Sequence, residues 1–93
     1  MPHVHPGGPV EYEYKAFVID SKRDDEVKFE IDLGFGFFSV EKMLISDGPF
    51  NRDLIGRWVT IRCHKDRPNR RYYCDIWMNE VQYHEGKVPV EDD

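Results

Sequence analysis

The chain has little of what identifies several classes of protein. Its 93 residues include only two cysteines, Cys63 and Cys74, and their spacing excludes the Cys-x-x-Cys pair of many metal and redox motifs. No apolar run approaches the roughly 20 residues that span a bilayer, and residues 1–9 have neither the basic nor the apolar region of a secretory signal. We therefore expect a cytoplasmic protein without membrane contact, in which both cysteines are buried thiols; a disulfide is the alternative.

Positive charge is also in short supply. Lys and Arg number 13 against 18 Asp and Glu, which gives a formal net charge of −5 and excludes a protein that binds nucleic acid over its whole surface. The distribution is uneven, since residues 57–71 hold six basic residues and one acidic residue, whereas residues 72–93 hold one basic and six acidic residues. A local basic surface is therefore still expected.

The chain is rich instead in patterns typical of strands. In residues 26–33, four apolar residues alternate with four charged residues, as in a strand with one face on a core and one in water. Gly34 and Gly36 then permit a hairpin reversal. Similar patterns predict further strands at residues 11–20, 37–45, 57–65 and 71–78, with at most a short helical turn between strands 3 and 4. We therefore predict a mainly all-β domain of five strands.

The last two predicted strands have a register that suits both of their faces. With Cys63 opposite Cys74, Ile61 faces Ile76 on an apolar side. The opposite side then holds three further pairs, Arg62 with Asp75, His64 with Tyr73 and Thr60 with Trp77. This register is favoured because a shift of one residue would exchange the two faces.

Three motifs, in this order, resemble those of the thermonuclease (staphylococcal-nuclease-like) family in the small form found in bacteriophages. They are residues 18–20 with 25–27 (Val-Ile-Asp, Asp-Glu-Val), residues 31–36 (Ile-Asp-Leu-Gly-Phe-Gly) and residues 42–50 (Lys-Met-Leu-Ile-Ser-Asp-Gly-Pro-Phe). The resemblance implies a small five-stranded OB-type barrel over residues 11–80, acting in the host cytoplasm if it is phage-encoded. Residues 1–10 are expected to form a flexible arm, and residues 81–93 a polar, acidic extension.

The resemblance also implies a site for calcium and phosphate. In that family two aspartates hold Ca²⁺, two arginines neutralise the phosphate and a glutamate activates water. The matching residues are Asp25 and Asp47 for the metal, Lys42 and Arg71 (or Arg70) for the arginines, and Phe50 for the glutamate. Phenylalanine accepts no proton, and general-base assistance is worth about 10²–10⁴-fold, so a non-catalytic relative is implied. The alternatives are a weak Ca²⁺-dependent nuclease and, for the two aspartates, ordinary turn chemistry; no cofactor other than weakly bound Ca²⁺ is expected.

Basic and aromatic residues are interleaved around the last predicted hairpin. Such a surface suits single-stranded nucleic acid, because cations meet its phosphates and aromatic rings stack on its bases. OB-type barrels commonly bind oligonucleotides in this way. A protein partner and a merely solvated face are the alternatives. The candidate binding residues are Arg62, Lys65, Arg67, Arg70, Arg71, Tyr73, Trp77 and Lys42.

Four further aromatic residues flank the glycines of the first predicted hairpin or begin strand 4. Phe35, Phe37, Phe38 and Trp58 are predicted to lie in the core or at the rim of the barrel. The alternative is that the Phe-Gly-Phe-Phe tip is exposed and docks a partner.

Overall fold

The computed structural model describes residues 10–66 and 71–88. Within these ranges the chain is all-β, as predicted, apart from a 3₁₀ turn at Arg52–Leu54. This turn lies where a short helical turn was predicted, and the side chain of Asn51 caps it by accepting the backbone N–H of Asp53 at 3.0 Å. The six strands are β1 Tyr12–Arg23, β2 Glu26–Asp32, β3 Phe37–Ile45, β4 Trp58–Asp66, β5 Arg71–Met78 and β6 Val81–Val88.

The strands pair in the order β1-β2-β3-β6-β5-β4, and β4 pairs again with β1, which closes the barrel. All six pairings are antiparallel. The 12-residue β1 makes closure feasible, since its first half pairs with β4 while its residues from Lys15 onwards pair with β2. The opposite seam, between β3 and β6, has only two register pairs, Leu44 with Lys87 and Ile45 with Gly86.

The prediction of five strands is wrong, because β6 lies in the segment that was predicted to be a polar extension. The reason is chemical: the two buried positions of β6 are His84 and Gly86, so its inward face carries no apolar alternation. The predicted domain end at residue 80 is corrected accordingly to include Val81–Val88. Residues 1–9 and 89–93, which belong to the predicted arm and extension, lie outside the described residues.

The predicted pattern of the core is confirmed where strands alternate strongly. Val27 and Phe29 of β2 are each 1% exposed, and β3 has the predicted bounds. The register of β4 on β5 is also as predicted, from Thr60 opposite Trp77 to His64 opposite Tyr73. It places Cys63 opposite Cys74, both as buried free thiols.

The β2–β3 hairpin turns through the predicted glycines. Gly34 has a φ of 88°, a left-handed value that glycine adopts without steric cost, and its N–H donates to the Asp32 carboxylate at 2.8 Å. The N–H of Leu33 donates to the carbonyl of Gly36 at 2.9 Å.

No helix in the described ranges has the length and apolar character to cross a bilayer.

Candidate nucleic-acid interface

Arg62, at the centre of the predicted basic surface, is already paired within the protein. Its Nε donates to the carboxylate of Glu13 at 3.0 Å and its Nη2 to that of Glu80 at 3.5 Å. Its guanidinium carbon also lies 4.5 Å from the centroid of the Trp77 ring, within range of a cation–π interaction. Two carboxylates therefore balance the charge of Arg62, which holds the indole of Trp77 in place rather than presenting a cation to a phosphate.

Other predicted cations are engaged or lie elsewhere on the barrel. Lys42 forms an ion pair with Glu26 at 3.5 Å, and it belongs to β3, which β6 and β5 separate from β4. Tyr73 is covered by Lys87, whose Nζ lies 5.0 Å from the ring centroid. The side chains of Lys65, Arg67, Arg70 and Arg71 lie outside the described part of the chain, so their predicted role stays a prediction.

Two polar residues on the outer face of β4 and β5, His64 and Asp75, are buried. His64 Nε2 lies 3.5 Å from the Asp75 carboxylate, and both side chains are less than one tenth exposed. A buried pair of this kind fixes the register of the two strands, since each partner would be costly to bury alone. The contact between His64 and Asp75 therefore has a structural role.

The aromatic residues of the first hairpin and of the start of β4 are exposed, so the prediction that they lie in the core is wrong. Phe35 is 91%, Phe37 64%, Phe38 58% and Trp58 50% exposed. Phe35 lies in the hairpin turn, whereas Phe37, Phe38 and Trp58 lie in the first two residues of β3 or β4. For the three phenylalanines, the alternative of an exposed hairpin tip describes their positions.

Trp58 and Trp77 line a cavity of about 190 Å³ on the outside of the barrel, which we call the indole slot. The other described lining residues are Lys15, Val59, Thr60, Met78 and Asn79. Cross-strand pairing builds the slot, because Lys15 lies opposite Thr60 and Thr60 lies opposite Trp77. These three residues thus form one row across β1, β4 and β5.

Further aromatic rings extend the surface beyond Trp58. Phe17 packs edge-on against Trp58 with centroids 5.4 Å apart, and Phe37 lies 6.5 Å from Trp58 at a tilt of 42°. The contact with Phe17 fixes the exposed indole, since aromatic pairs at this separation are worth about 0.5–1.5 kcal/mol beyond burial. An aromatic surface therefore runs from the tip of the β2–β3 hairpin to the indole slot.

The two candidate metal ligands lie on neighbouring loops but have separate partners. The carboxylate of Asp25 forms an exposed ion pair with Arg23 at 3.4 Å. The carboxylate of Asp47 lies 3.2 Å from His84 Nδ1 and accepts the backbone N–H of Glu85 at 3.1 Å. The described residues contain no group of three or more His, Cys, Asp or Glu side chains that could hold a metal. The Ca²⁺ site therefore stays a prediction; Asp47 joins its loop to β6, and Asp25 forms an ion pair with Arg23.

His84 is a buried polar residue that the sequence analysis missed. Its Nε2 accepts the backbone N–H of Asn51 at 2.8 Å, so its proton lies on Nδ1, which faces Asp47. The ring also packs against Phe50, with centroids 5.0 Å apart, and Phe50 is itself buried. His84 thus ties the loop after β3 to β6. Nothing in the local sequence signals this, because its partners lie more than 30 residues away.

Comparison of the chain with protein-family models, curated proteins and solved structures finds no match. The resemblance to the thermonuclease family therefore stays a prediction. The function is inferred from the positions and chemistry of this chain's own residues.

Proposed function

We propose that this protein is a non-catalytic binding module that takes single-stranded nucleic acid in the indole slot. The observation that carries the proposal is the position of Trp58 and Trp77, which flank a cavity of about 190 Å³ on the outer face. Exposed aromatic platforms suit single strands because every base has a π-face, and stacking is worth about 1–3 kcal/mol per base. The sequence predicted an interface on the basic hairpin, whereas the interface proposed from the structure consists of the two tryptophans and Lys15.

The charges of the slot support a weakly electrostatic mode of binding. Lys15 lines the slot and, unlike Arg62 and Lys42, forms no ion pair with a carboxylate that the structure describes. It is therefore able to meet one phosphate of a strand whose base enters the slot. With Arg62 balanced by Glu13 and Glu80, stacking supplies most of the affinity, which agrees with a net charge of −5.

The fold is proposed to be an OB-type barrel extended by a sixth strand. The support is the long β1, which pairs on both of its edges and lets a short sheet close on itself. OB-type barrels bind oligonucleotides on an outer sheet face and its flanking loops. The indole slot lies on such a face, beside the β5–β6 turn at Asn79.

The absence of catalysis is proposed from the chemistry at Phe50. The resemblance assigns this position to the general base, but the side chain is a benzyl ring, 4% exposed and packed on His84. A carboxylate is needed there to orient and deprotonate water. The protein is therefore proposed to hold a strand without cutting it.

The experiment is a titration with a short oligothymidylate, followed by tryptophan fluorescence. The chain has two tryptophans, and both line the slot, so stacking of a base on an indole should quench the tryptophan fluorescence. Trp58→Ala should weaken binding by roughly 5- to 150-fold, the equivalent of the 1–3 kcal/mol of one stacked base. Val10→Ser is the matched control: Val10 is 46% exposed and apolar, but it lies near Cys63, toward the end of β4 opposite to Trp58, and binding should be unchanged. If the wild-type protein binds no oligonucleotide at low salt, the proposal is wrong.

A protein partner is the second candidate, and Phe35 favours it. This side chain is 91% exposed at the tip of the β2–β3 hairpin, and a large exposed apolar residue often marks a docking surface. A Phe35→Ser variant separates the two functions. Loss of oligonucleotide binding would assign the tip to nucleic acid, whereas unchanged binding leaves the tip for a protein.

A further inference from the structure

A second cavity opens at one end of the barrel, on the inner side of the sheet. Its volume is about 420 Å³, and each of the six strands supplies at least one lining residue. The lining comes from the start of β1, β3 and β5 and the end of β2, β4 and β6, which antiparallel pairing brings to the same end. We call this cavity the barrel mouth. It is distinct from the indole slot, whose tryptophans point to the outside.

The floor of the barrel mouth is apolar and uncharged. Phe29 and Ile61 are each 1% exposed, and Cys63 and Cys74 lie opposite each other beside them. Contact with the Cys63 thiol, together with burial, raises the pKa of Cys74 far above its ordinary value. Cys74 therefore stays a thiol at neutral pH, and Cys63, which is 5% exposed, packs beside it as a small apolar side chain.

The rim of the barrel mouth is aromatic. Tyr12 and Tyr14 stack with ring centroids 6.1 Å apart and planes 13° apart, and Phe38 stands across from them on β3. Among the described lining residues, the polar side-chain atoms are two phenol hydroxyls and two thiols, and no side chain carries a charge. The site is thus an apolar cup with weak hydrogen-bonding groups.

We propose that the barrel mouth binds one small, uncharged apolar molecule of the aryl or medium-chain alkyl class. The volume lies in the range of about 300–1,000 Å³ that small-molecule sites occupy, and such sites combine apolar walls with a few polar groups. Cavities lined in this way exclude water and take up apolar molecules of matching size. A charged molecule is rejected, because nothing in the described lining balances a charge at the floor.

The occupant is argued to be a small molecule from the shape of the site. The six strands surround the cavity, which opens at one end of the barrel, whereas a docked strand or helix needs a groove that is open along its length. The site is separate from the proposed nucleic-acid site, because the barrel mouth and the indole slot share no described lining residue.

The test uses the uncharged fluorescent probe N-phenyl-1-naphthylamine with the full chain. The wild-type protein should bind one probe, and 1-octanol should displace it while protonated octylamine should not. Two variants place extra atoms in the cavity, Val40→Phe and Cys63→Leu. Each should weaken probe binding by about tenfold or more, since a filled cavity has no room for the probe. The Phe35→Ser variant removes an exposed ring outside the cavity and should bind within about twofold of wild type.

Four results would overturn the proposal. The first is that the wild-type protein binds no probe, and the second is that octylamine displaces the probe as well as octanol does. The third is that Phe35→Ser loses probe binding while Val40→Phe or Cys63→Leu retains it. The fourth is that the probe dissociates a dimer of the protein. The last would assign the barrel mouth to a second copy of the chain. The competition between the alcohol and the amine needs no variant, so the test holds even if a filled core fails to fold. Oligonucleotide should leave probe binding unchanged, which keeps this proposal separate from the function of the slot.

Discussion

Replacement of Gly86 by alanine should destabilise the barrel at its weakest seam. Gly86 belongs to β6 and lies opposite Ile45 of β3 and Cys74 of β5. A Cβ atom there would lie 2.3 Å from Cε of Met43 and 3.0 Å from the carbonyl oxygen of Leu44. Met43 is fully buried, and its Cγ would also lie 3.0 Å from the new Cβ, so rotation of its terminal methyl group alone does not relieve the contact. The carbonyl oxygen of Leu44 is part of β3 and cannot move without moving that strand.

The magnitude follows from two opposing effects. Overpacking a well-packed core costs about 1–3 kcal/mol, while the loss of glycine's freedom in the unfolded chain returns about 0.4–1 kcal/mol. We expect a net loss of about 1–2 kcal/mol in the free energy of unfolding. For a domain of this size that corresponds to a fall in Tm of roughly 5–15 °C.

Thermal and urea unfolding of Gly86→Ala measure this effect, and Gly36→Ala is its matched control. A Cβ at Gly36 would meet nothing within 4 Å, so the control should be as stable as wild type or slightly more stable. In a Met43→Ala background the cost of Gly86→Ala should shrink, because the nearest clashing atoms are gone. A Gly86→Ala protein with wild-type stability, or a Gly36→Ala protein that is equally destabilised, would refute the packing of β3 against β6.

Three further predictions follow from individual contacts. His84→Ala should lower the free energy of unfolding by about 1–3 kcal/mol or more, since it leaves the Asn51 N–H without its acceptor; an unaltered urea midpoint would contradict the role of His84 between β3 and β6. The raised pKa of Cys74 keeps its thiol protonated in the folded state at a pH where the thiol of the unfolded chain ionises. The contribution of Cys74 to the free energy of unfolding should therefore decline above about pH 9, by up to about 1.4 kcal/mol per pH unit. Cys74→Ser should show a shallower decline at alkaline pH, and identical slopes would refute the assignment. With millimolar Ca²⁺, wild-type protein and Asp47→Ala should both leave a single-stranded oligonucleotide intact; metal-dependent cleavage by the wild type alone would establish a nuclease.

Strands that face one side to the core could be predicted from the sequence, because their periodicity is local. The alternation in residues 26–33 defines β2, and the two faces of β4 and β5 fix their register. The apolar run at Phe37–Ile45 gives β3 its bounds. These elements need only the period of two and the turn residues between them.

β6 could not be predicted, because its buried face depends on distant partners. His84 is buried by pairing with Asp47 and Asn51, and Gly86 is buried because Met43 packs where a side chain would be. Neither residue carries an apolar signal. This segment forms a strand because it pairs with both β3 and β5 in the closed barrel.

Among the described residues that line the indole slot, Trp77 was named from the sequence as a candidate binding residue, whereas Trp58 and Lys15 were not. Trp77 was correctly associated with the outer face of β5, opposite Thr60. The pairing of Arg62 with Glu13 joins residues 49 apart in sequence, and no local pattern indicates that its charge is balanced. Trp58 was predicted to lie in the core or at the rim, because the sequence shows only that this residue is apolar. Whether a neighbouring strand covers an apolar residue depends on the folded structure.

The most direct test of the account is the salt dependence of oligothymidylate binding to the wild-type protein. For single strands, log Kd should change with log salt by about 0.7 per phosphate contact. In the proposed mode the base stacks on the indoles, and Lys15 is the one described cation that lines the slot. This mode predicts a slope of log Kd against log salt of roughly 0.7–1.5, with quenching of tryptophan fluorescence at every salt concentration. A slope of about 3 or more without tryptophan quenching would show that charges elsewhere hold the strand and would contradict the indole slot as its binding site.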